Sequence, residues 1–259
     1  MGKRDMKLIN DDCLKVLPTL ADKSVDLILT DPPYGTTPCK WDSVIPLNLM
    51  WKHLKRIIKK EGAIALFGTE PFSSNLRMSN VDEGGGDWFK YDWIWEKPSG
   101  ANFLVANYQP MKVHEIISIF GNAPTSYSKN NPMVYNPQET IGSAYKQTSG
   151  KQKTEKENST VRSKIEQVVT TNKGTRKPRT VIQFSPDKQK IHPTQKPVAL
   201  LEYLIKTYTN ENDTVLDFTM GSGSTGVAAK NLNREFIGIE LDEKYFKIAD
   251  ERINNEMEI

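Results

Sequence analysis

Two short motifs in this chain carry residue types and spacings suited to chemistry. The first is Asp31-Pro32-Pro33-Tyr34, directly after the apolar run 24–30. An amino group on an aromatic base is a poor nucleophile, because its lone pair is delocalised into the ring. A carboxylate and a backbone carbonyl, each accepting one of its N–H groups, would draw the hydrogens out of the ring plane and restore lone-pair character. Asp31 and the Pro32 carbonyl suit this task, since proline fixes the direction of the chain. Tyr34 offers a ring face on which a base extruded from a duplex can stack. Without that chemistry the tetrapeptide reads as a proline turn in which Asp31 caps and Tyr34 packs.

The second motif is Gly221-Ser222-Gly223-Ser224-Thr225-Gly226, a GxGxxG between an apolar run and a helical pattern. Glycines there allow a tight turn that brings the backbone close to a ligand at the helix N-terminus. Glu240 ends the next apolar run, where its carboxylate could accept hydrogen bonds from both hydroxyls of a ribose. The plain alternative is a tight turn followed by a solvated glutamate. With both features in register, a nucleoside-containing cofactor is the expectation. A dehydrogenase fingerprint has the same spacing, but only 33 residues follow Gly226, so most of the sheet must come from earlier sequence. Asp217, just ahead of the glycines, suits a cationic group better than a pyrophosphate. The ammonium of a methionine moiety fits, which favours S-adenosylmethionine over NAD.

Elements that would position these motifs follow from hydrophobic periodicity. Strands are expected at 24–30, 63–67, 93–95, 115–120, 214–218 and 235–240, and helices at 47–60, 196–205, 222–232 and 243–253. Strand, helix, strand in this order builds a parallel sheet. The predicted fold class is therefore α/β, a doubly wound Rossmann-like domain formed by 1–120 and 191–259 and interrupted by 121–190.

The interruption is set apart by charge. The whole chain of 259 residues has a net charge of +3, but 121–190 holds 13 Lys and Arg against 5 Asp and Glu, a local +8 that leaves −5 on the rest. The segment is 21% apolar against 37% overall, too lean for a core of its own. Arg162, Lys164, Lys173, Arg176, Lys177 and Arg179 crowd a polar stretch suited to phosphate contact and groove entry. A solvated charged loop is the competing reading.

Taken together, the motifs resemble the β class of amino-methylating DNA methyltransferases, in which the catalytic tetrapeptide precedes target recognition and the glycine loop comes last. The resemblance rests on Asp11-Asp12-Cys13-Leu14, on Asp31-Pro32-Pro33-Tyr34, on His192-Pro193-Thr194-Gln195-Lys196-Pro197, and on Asp217-Phe218-Thr219-Met220 with the glycines. It implies an S-adenosylmethionine-dependent domain with permuted motif order, a target-recognition insertion at 121–190, and duplex DNA as partner. Asp31, Pro32, Pro33 and Tyr34 would hold the target base, with Asp31 also beside the cofactor. Asp12 and Cys13 would lie near the cofactor's adenine, and Glu240 at its ribose. Asp217, Phe218, Gly221, Ser222 and Gly223 would surround its methionine end, and Thr194 and Lys196 would close the pocket. Met220 stands where many relatives carry a small or polar residue. In the family, Asp at the first tetrapeptide position goes with adenine N6 and Ser more often with cytosine N4, so adenine N6 is expected and cytosine N4 stays open. Homodimers are common in the family.

Reaction at carbon 5 would need a cysteine nucleophile; Cys13 follows Asp12 rather than a proline, and Cys39, although it follows Pro38, stands outside the tetrapeptide, so reaction at an amino group is favoured. No His or Cys has metal-ligand spacing, so no metal is expected. His192 reads as structural. Trp93, Trp95, Lys97, Asn102 and Tyr108 could flank the base pocket, although both Trp suit a core equally well. No signal peptide, myristoylation motif or bilayer-length apolar run is apparent, and an intracellular, cytoplasmic protein is expected. An RNA methyltransferase, a pyridine-nucleotide oxidoreductase and a non-catalytic DNA-binding protein remain the other readings.

Overall fold

The computed structural model describes residues 5–36, 42–81, 88–101, 103–125, 131–148, 169–188, 191 and 194–254. They divide into two compact units, one of Met1–Asn136 with Thr180–Ile259 and one of Pro137–Arg179. In chain order the strands are β1 (Met6–Asn10), β2 (Val25–Thr30), β3 (Ile58–Gly68), β4 (Phe89–Ala101), β5 (Lys112–Phe120), β6 (Thr140–Ile141), β7 (Tyr145–Thr148), β8 (Val169–Asn172), β9 (Thr175–Arg176), β10 (Val181–Gln183), β11 (Thr214–Asp217) and β12 (Glu235–Glu240). The α-helices are α1 (Cys13–Val16), α2 (Leu47–Ile57), α3 (Phe72–Met78), α4 (Val198–Tyr208), α5 (Ser224–Asn231) and α6 (Glu243–Asn254).

The first unit is built on an eight-stranded sheet in the order β1-β12-β11-β2-β3-β5-β4-β10. Every adjacent pair is parallel except the two made by β5. Side chains alternate across the sheet as strand geometry requires. Leu27, Leu29, Ala63, Ala65 and Phe67 face a core layer shared with α4, α5 and α6. Ile28, Ile64 and Leu66 face the opposite layer, shared with α1, α2 and α3. Burial on both faces explains why these strands read as continuous apolar runs.

From β11 the chain winds through α5 to β12, and from β2 it winds through α2 to β3 on the other side. The neighbours β2 and β11 thus mark the point where strand order reverses, and a crevice opens there beyond the carboxyl ends of the strands. Asn10, Thr30, Gly68, Asp217 and Glu240 all end their strands on this edge. Because β5 runs the other way, it delivers its first residues there, Glu115 among them.

Three features differ from the sequence expectation. Helix α2 stops at Ile57, and the positions read as its last turn, Ile58 to Lys60, begin β3. Tertiary pairing overrides the helical pattern: Val25 pairs with Ile58, and Lys59 Nζ lies 2.8 Å from the Asp26 carboxylate. Strand β1, α3 and β10 carry patterns too short to stand out. Finally, the compact division is narrower than 121–190. Met133 and Ile182 are core residues of the first unit, Asn136 N–H donates to the Thr207 carbonyl at 2.7 Å, and β10 pairs with β4.

The second unit consists of two antiparallel ladders, β6 with β9 and β7 with β8. None of its described residues is a buried hydrophobic one, and Ile141 is 98% exposed. Its order comes from polar contacts. The Arg176 guanidinium lies 4.9 Å from the Tyr145 ring and donates to Asn172 Oδ1 at 2.8 Å and to the Ser143 carbonyl at 2.5 Å.

Leu29, fully buried in β2 and leading to Asp31, tests the weight of the core layer. Leu29→Ala is expected to cost about 2–5 kcal/mol in urea unfolding, seen as a lower midpoint with an unchanged m value.

Candidate active site

A cleft of about 1040 Å³ lies at the strand-order reversal, lined by residues that follow β1, β2, β11 and β12 and by the segment before α4. All four tetrapeptide residues line it, as do Asp12, Cys13, Thr194, Lys196, Asp217, Phe218, Gly221, Ser222 and Glu240. The cofactor and base residues expected from the sequence, drawn from both ends of the chain, are thus gathered on one surface, with Gly223 just behind it at the start of α5.

Asp217 ties this surface together. Its Oδ1 accepts from the Thr30 hydroxyl at 2.5 Å and the Thr219 N–H at 3.1 Å, and its Oδ2 accepts from the Thr225 hydroxyl at 2.6 Å. Thr219 Oγ1 is 2.7 Å from Thr30 Oγ1 and 3.2 Å from the Asp31 carbonyl oxygen. One carboxylate therefore joins the end of β2, the loop after β11 and the first turn of α5. Three protein donors occupy most of its roughly four acceptor positions, so its first role is to brace the loop. Burial pushes its carboxyl up to about 6.

The glycine loop needs its glycines for different reasons. Gly221 and Gly223 have φ of +53° and +80°, the left-handed region that L side chains rarely adopt. A Cβ on Gly223 would come within 2.9 Å of Ala249 in α6, whereas one on Gly221 meets nothing within 4 Å and would protrude into the cleft. Glu240 Oε2 accepts from the Gly221 N–H at 2.8 Å and Oε1 from the Asp242 N–H at 2.9 Å, and burial raises its carboxyl. Met220 is buried, and its sulfur fills the space that a Cβ on Gly238 would need, so the bulky side chain points into the sheet layer and leaves the backbone turn intact. From α6, Arg252 donates to the Ser222 carbonyl at 2.5 Å. The cradle thus offers a bare backbone at Gly221 and a carboxylate at Glu240, a donor set that suits a ribose and a small cationic chain.

In the tetrapeptide, the Asp31 carboxylate accepts from the Tyr34 hydroxyl and the Lys196 ammonium. Burial pushes its carboxyl upward, Lys196 pulls it back, and Glu115 adds to the push. The Tyr34 ring lies 5.0 Å from Phe72, tilted by 34°. Asp42 holds the following turn, Oδ1 accepting from Tyr34 and Gly35 N–H at 2.8 and 2.9 Å and Oδ2 from Thr36 N–H at 2.9 Å. Asp12 caps α1, accepting from Leu14 N–H at 2.8 Å. Burial raises the Cys13 thiol to about 12, which removes it as a nucleophile.

Trp93 and Trp95 are core, bonded through Nε1 to the Tyr208 hydroxyl at 2.6 Å and the Phe184 carbonyl at 3.0 Å, and Tyr108 is exposed. Lys97 pairs with Glu115. Lys173, Lys177 and Arg179 are exposed in the second unit, Lys177 paired with Glu139, while Arg176 is taken up by its own ladder. Arg162, Lys164, Asn102, Cys39 and His192 lie outside the described residues. No cluster of three metal-ligating side chains occurs among the described residues, and no described helix is long and apolar enough to cross a membrane. Sequence reasoning missed Thr30, Thr219, Asp42, Glu115 and Arg252. For Glu115 a signal existed: a glutamate heading the apolar strand 115–120.

Because the folded-state Asp217 carboxyl titrates near 6 against an ordinary 3.8, its protonated form stabilises the fold below 3.8, and that contribution, on the order of 3 kcal/mol, is lost as pH rises through 6. Urea unfolding from pH 4 to 7 should show this loss in the parent protein and a shallower slope in Asp217→Asn; equal slopes would contradict it.

A profile of the N6_N4_Mtase family, described as DNA methylase, matches residues 25–251. The type II methyltransferase M.HpaI of Haemophilus parainfluenzae is 30% identical over 267 residues, covering 97% of this chain and 75% of that protein. M2.DpnII of Streptococcus pneumoniae is 28% identical, covering 99% and 92%. Among solved structures, the M1.HpyAVI–SAM complex superposes with a TM-score of 0.62 at 25% identity, over 95% of this chain and 99% of the other. The cytosine-N4-specific PvuII DNA methyltransferase shares the fold, with a TM-score of 0.65 at 16% identity, over 96% and 88%. With a family match spanning both motifs and the segments between them, the chain belongs to the N6_N4_Mtase family of DNA methylases, amino methyltransferases that use S-adenosylmethionine.

Proposed function

We propose that this DNA methyltransferase transfers the methyl group to N6 of an adenine flipped out of duplex DNA, at a specific site. The observation that carries the choice of base is Asp31 itself: the first tetrapeptide position is a carboxylate, lodged in the cleft by Lys196 and Tyr34, and the family resemblance associates Asp there with adenine.

Bound S-adenosylmethionine supplies an electrophilic methyl on a sulfonium. Glu240 would take the ribose hydroxyls, and the bare backbone at Gly221 with Ser222 and Phe218, all lining the cleft, would hold the methionine end. Asp12 and Cys13 would lie on the adenine side. Asp31 accepts one amino N–H and the Pro32 carbonyl the other, which pyramidalises the nitrogen and exposes its lone pair. Pro33 keeps the turn rigid, and Tyr34 presents its ring to the base. As the nitrogen–methyl bond forms the methyl–sulfur bond would break, releasing S-adenosylhomocysteine; the nitrogen gains positive charge, which the Asp31 carboxylate stabilises until the proton leaves to water. No step needs a covalent enzyme intermediate or a metal ion.

The Pro137–Arg179 unit, lean in apolar residues and basic, is the proposed target-recognition part. Lys173, Lys177 and Arg179 would contact phosphates, and Arg162 and Lys164 belong to the same basic stretch. Arg176 contributes by holding the ladder that presents them.

Incubation with labelled S-adenosylmethionine and duplex DNA, followed by nucleoside analysis, is expected to yield N6-methyladenine, and N4-methylcytosine would overturn the base assignment. Asp31→Ala should abolish transfer while leaving cofactor affinity within about threefold; retained turnover would sink the mechanism. Replacing Lys173, Lys177 and Arg179 by Ala should weaken DNA binding and lower its salt slope by about one for each phosphate no longer neutralised, with cofactor affinity unchanged.

A further inference from the structure

Behind Asp31 lies a chain of alternating charges drawn from four segments. Lys196, ahead of α4, is 8% exposed and its ammonium pairs with Asp31. The same ammonium lies 3.3 Å from Glu115 Oε2 in β5 and 5.1 Å over the Phe67 ring. The other Glu115 oxygen pairs with Lys97 of β4, whose ammonium lies 5.0 Å from the Trp95 ring. The order is Asp31, Lys196, Glu115, Lys97, two anions and two cations with no net charge.

A carboxylate taken out of water alone would be driven to its neutral form, and a protonated Asp31 would be a poor acceptor for an amino N–H. Lys196 removes that difficulty but creates another. An uncompensated ammonium beside Asp31 would oppose the positive charge that grows on the reacting nitrogen. Glu115, 3.3 Å behind the ammonium, offsets part of that field, leaving the Lys196–Glu115 pair as a dipole whose positive end touches Asp31. We propose that Lys196 and Glu115 are positioning residues for the transfer: Lys196 aims the Asp31 carboxylate and keeps it charged, and Glu115 holds the ammonium and shields the reacting nitrogen from it. The inference rests on Asp31 accepting the amino N–H, and it gives Lys196 a role at the base side of the cleft in place of cofactor contact.

The groups facing Asp31 are Tyr34 from its own loop, Lys196 from the segment before α4 and Glu115 from β5, with Asp217 of β11 also within electrostatic reach. Opposite signs on Lys196 and Glu115 give opposite expectations. In the protein itself, the single-turnover transfer rate is measured against pH, and S-adenosylmethionine affinity by calorimetry. Lys196→Met should lower the rate at neutral pH at least about tenfold and move the acid limb upward by about one unit or more. Lys196→Arg should restore the limb in part. Glu115→Gln, which keeps shape, should move the limb downward. Cofactor affinity should stay within about threefold in all three, which also reports that each variant is folded. Glu115→Gln carries the test alone if Lys196→Met does not fold. Limbs that stay put or move together, or a loss of cofactor affinity with the transfer rate intact, would overturn the inference. If the parent protein places no methyl on an amino group, the proposed function fails instead, and that result is read before any variant is made.

Discussion

The bond on which the rest of the molecule depends joins Thr30 to Asp217. Thr30 ends the strand that delivers the tetrapeptide, and Asp217 ends the strand that delivers the glycine loop, 187 residues later. Both groups are buried, so neither can exchange this partner for water, and separating them would strand a carboxylate and a hydroxyl in an apolar layer. Thr219 and Thr225 complete the carboxylate's shell and link it to the Asp31 carbonyl and to α5. The contact therefore fixes how far the tetrapeptide loop stands from the glycine loop. A transfer reaction requires its two reactants within a few tenths of an ångström of the productive distance. In this fold that distance is set by backbone ends packed in a sheet, which are the most rigid parts available.

A second constraint follows from burial. The cleft has to exclude water to make a carboxylate effective, and the same exclusion threatens to neutralise it. Compensation comes from three other segments of chain, through Lys196, Glu115 and Lys97, so that each charge in this row has an opposite neighbour. Balance of this kind is costly to break at any single link, since removing one partner leaves its neighbour uncompensated. Asp42 applies the same logic to backbone: the N–H groups of Tyr34, Gly35 and Thr36 converge on one buried carboxylate, which holds Tyr34 in register from outside the tetrapeptide.

Much of this was legible in the sequence where the signal is local. The tetrapeptide, the GxGxxG loop and Glu240 announce themselves because each is a short run of unusual residue types at a strand end. The alternation of apolar strands with amphipathic helices was enough for the fold class, since burial on both faces of a parallel sheet leaves runs that periodicity detects. Legibility ended where a residue's role depends on a distant neighbour. Lys59 and Lys60 read as the polar face of a helix until pairing with β2 draws them into a strand. Arg176 reads as a phosphate ligand until the Tyr145 ring and the Ser143 carbonyl claim it. Met220 looks disruptive until Gly238 is seen to leave room for it.

The sequence by itself therefore determined the chemistry available: a carboxylate before two prolines and an aromatic ring, a glycine turn with an acid on the next strand, and a basic segment too polar to make a core. Those are properties of residue type and short-range order, and they persist in any conformation. Tertiary structure alone decided which of the available charges meet. Asp217 became a brace because Thr30 and Thr225 arrive beside it, and Lys196 became the partner of Asp31 because the segment before α4 crosses the end of β2. Electrostatic and hydrogen-bond energies depend on distance and on exclusion of water, and neither quantity exists until the sheet has brought the strand ends together.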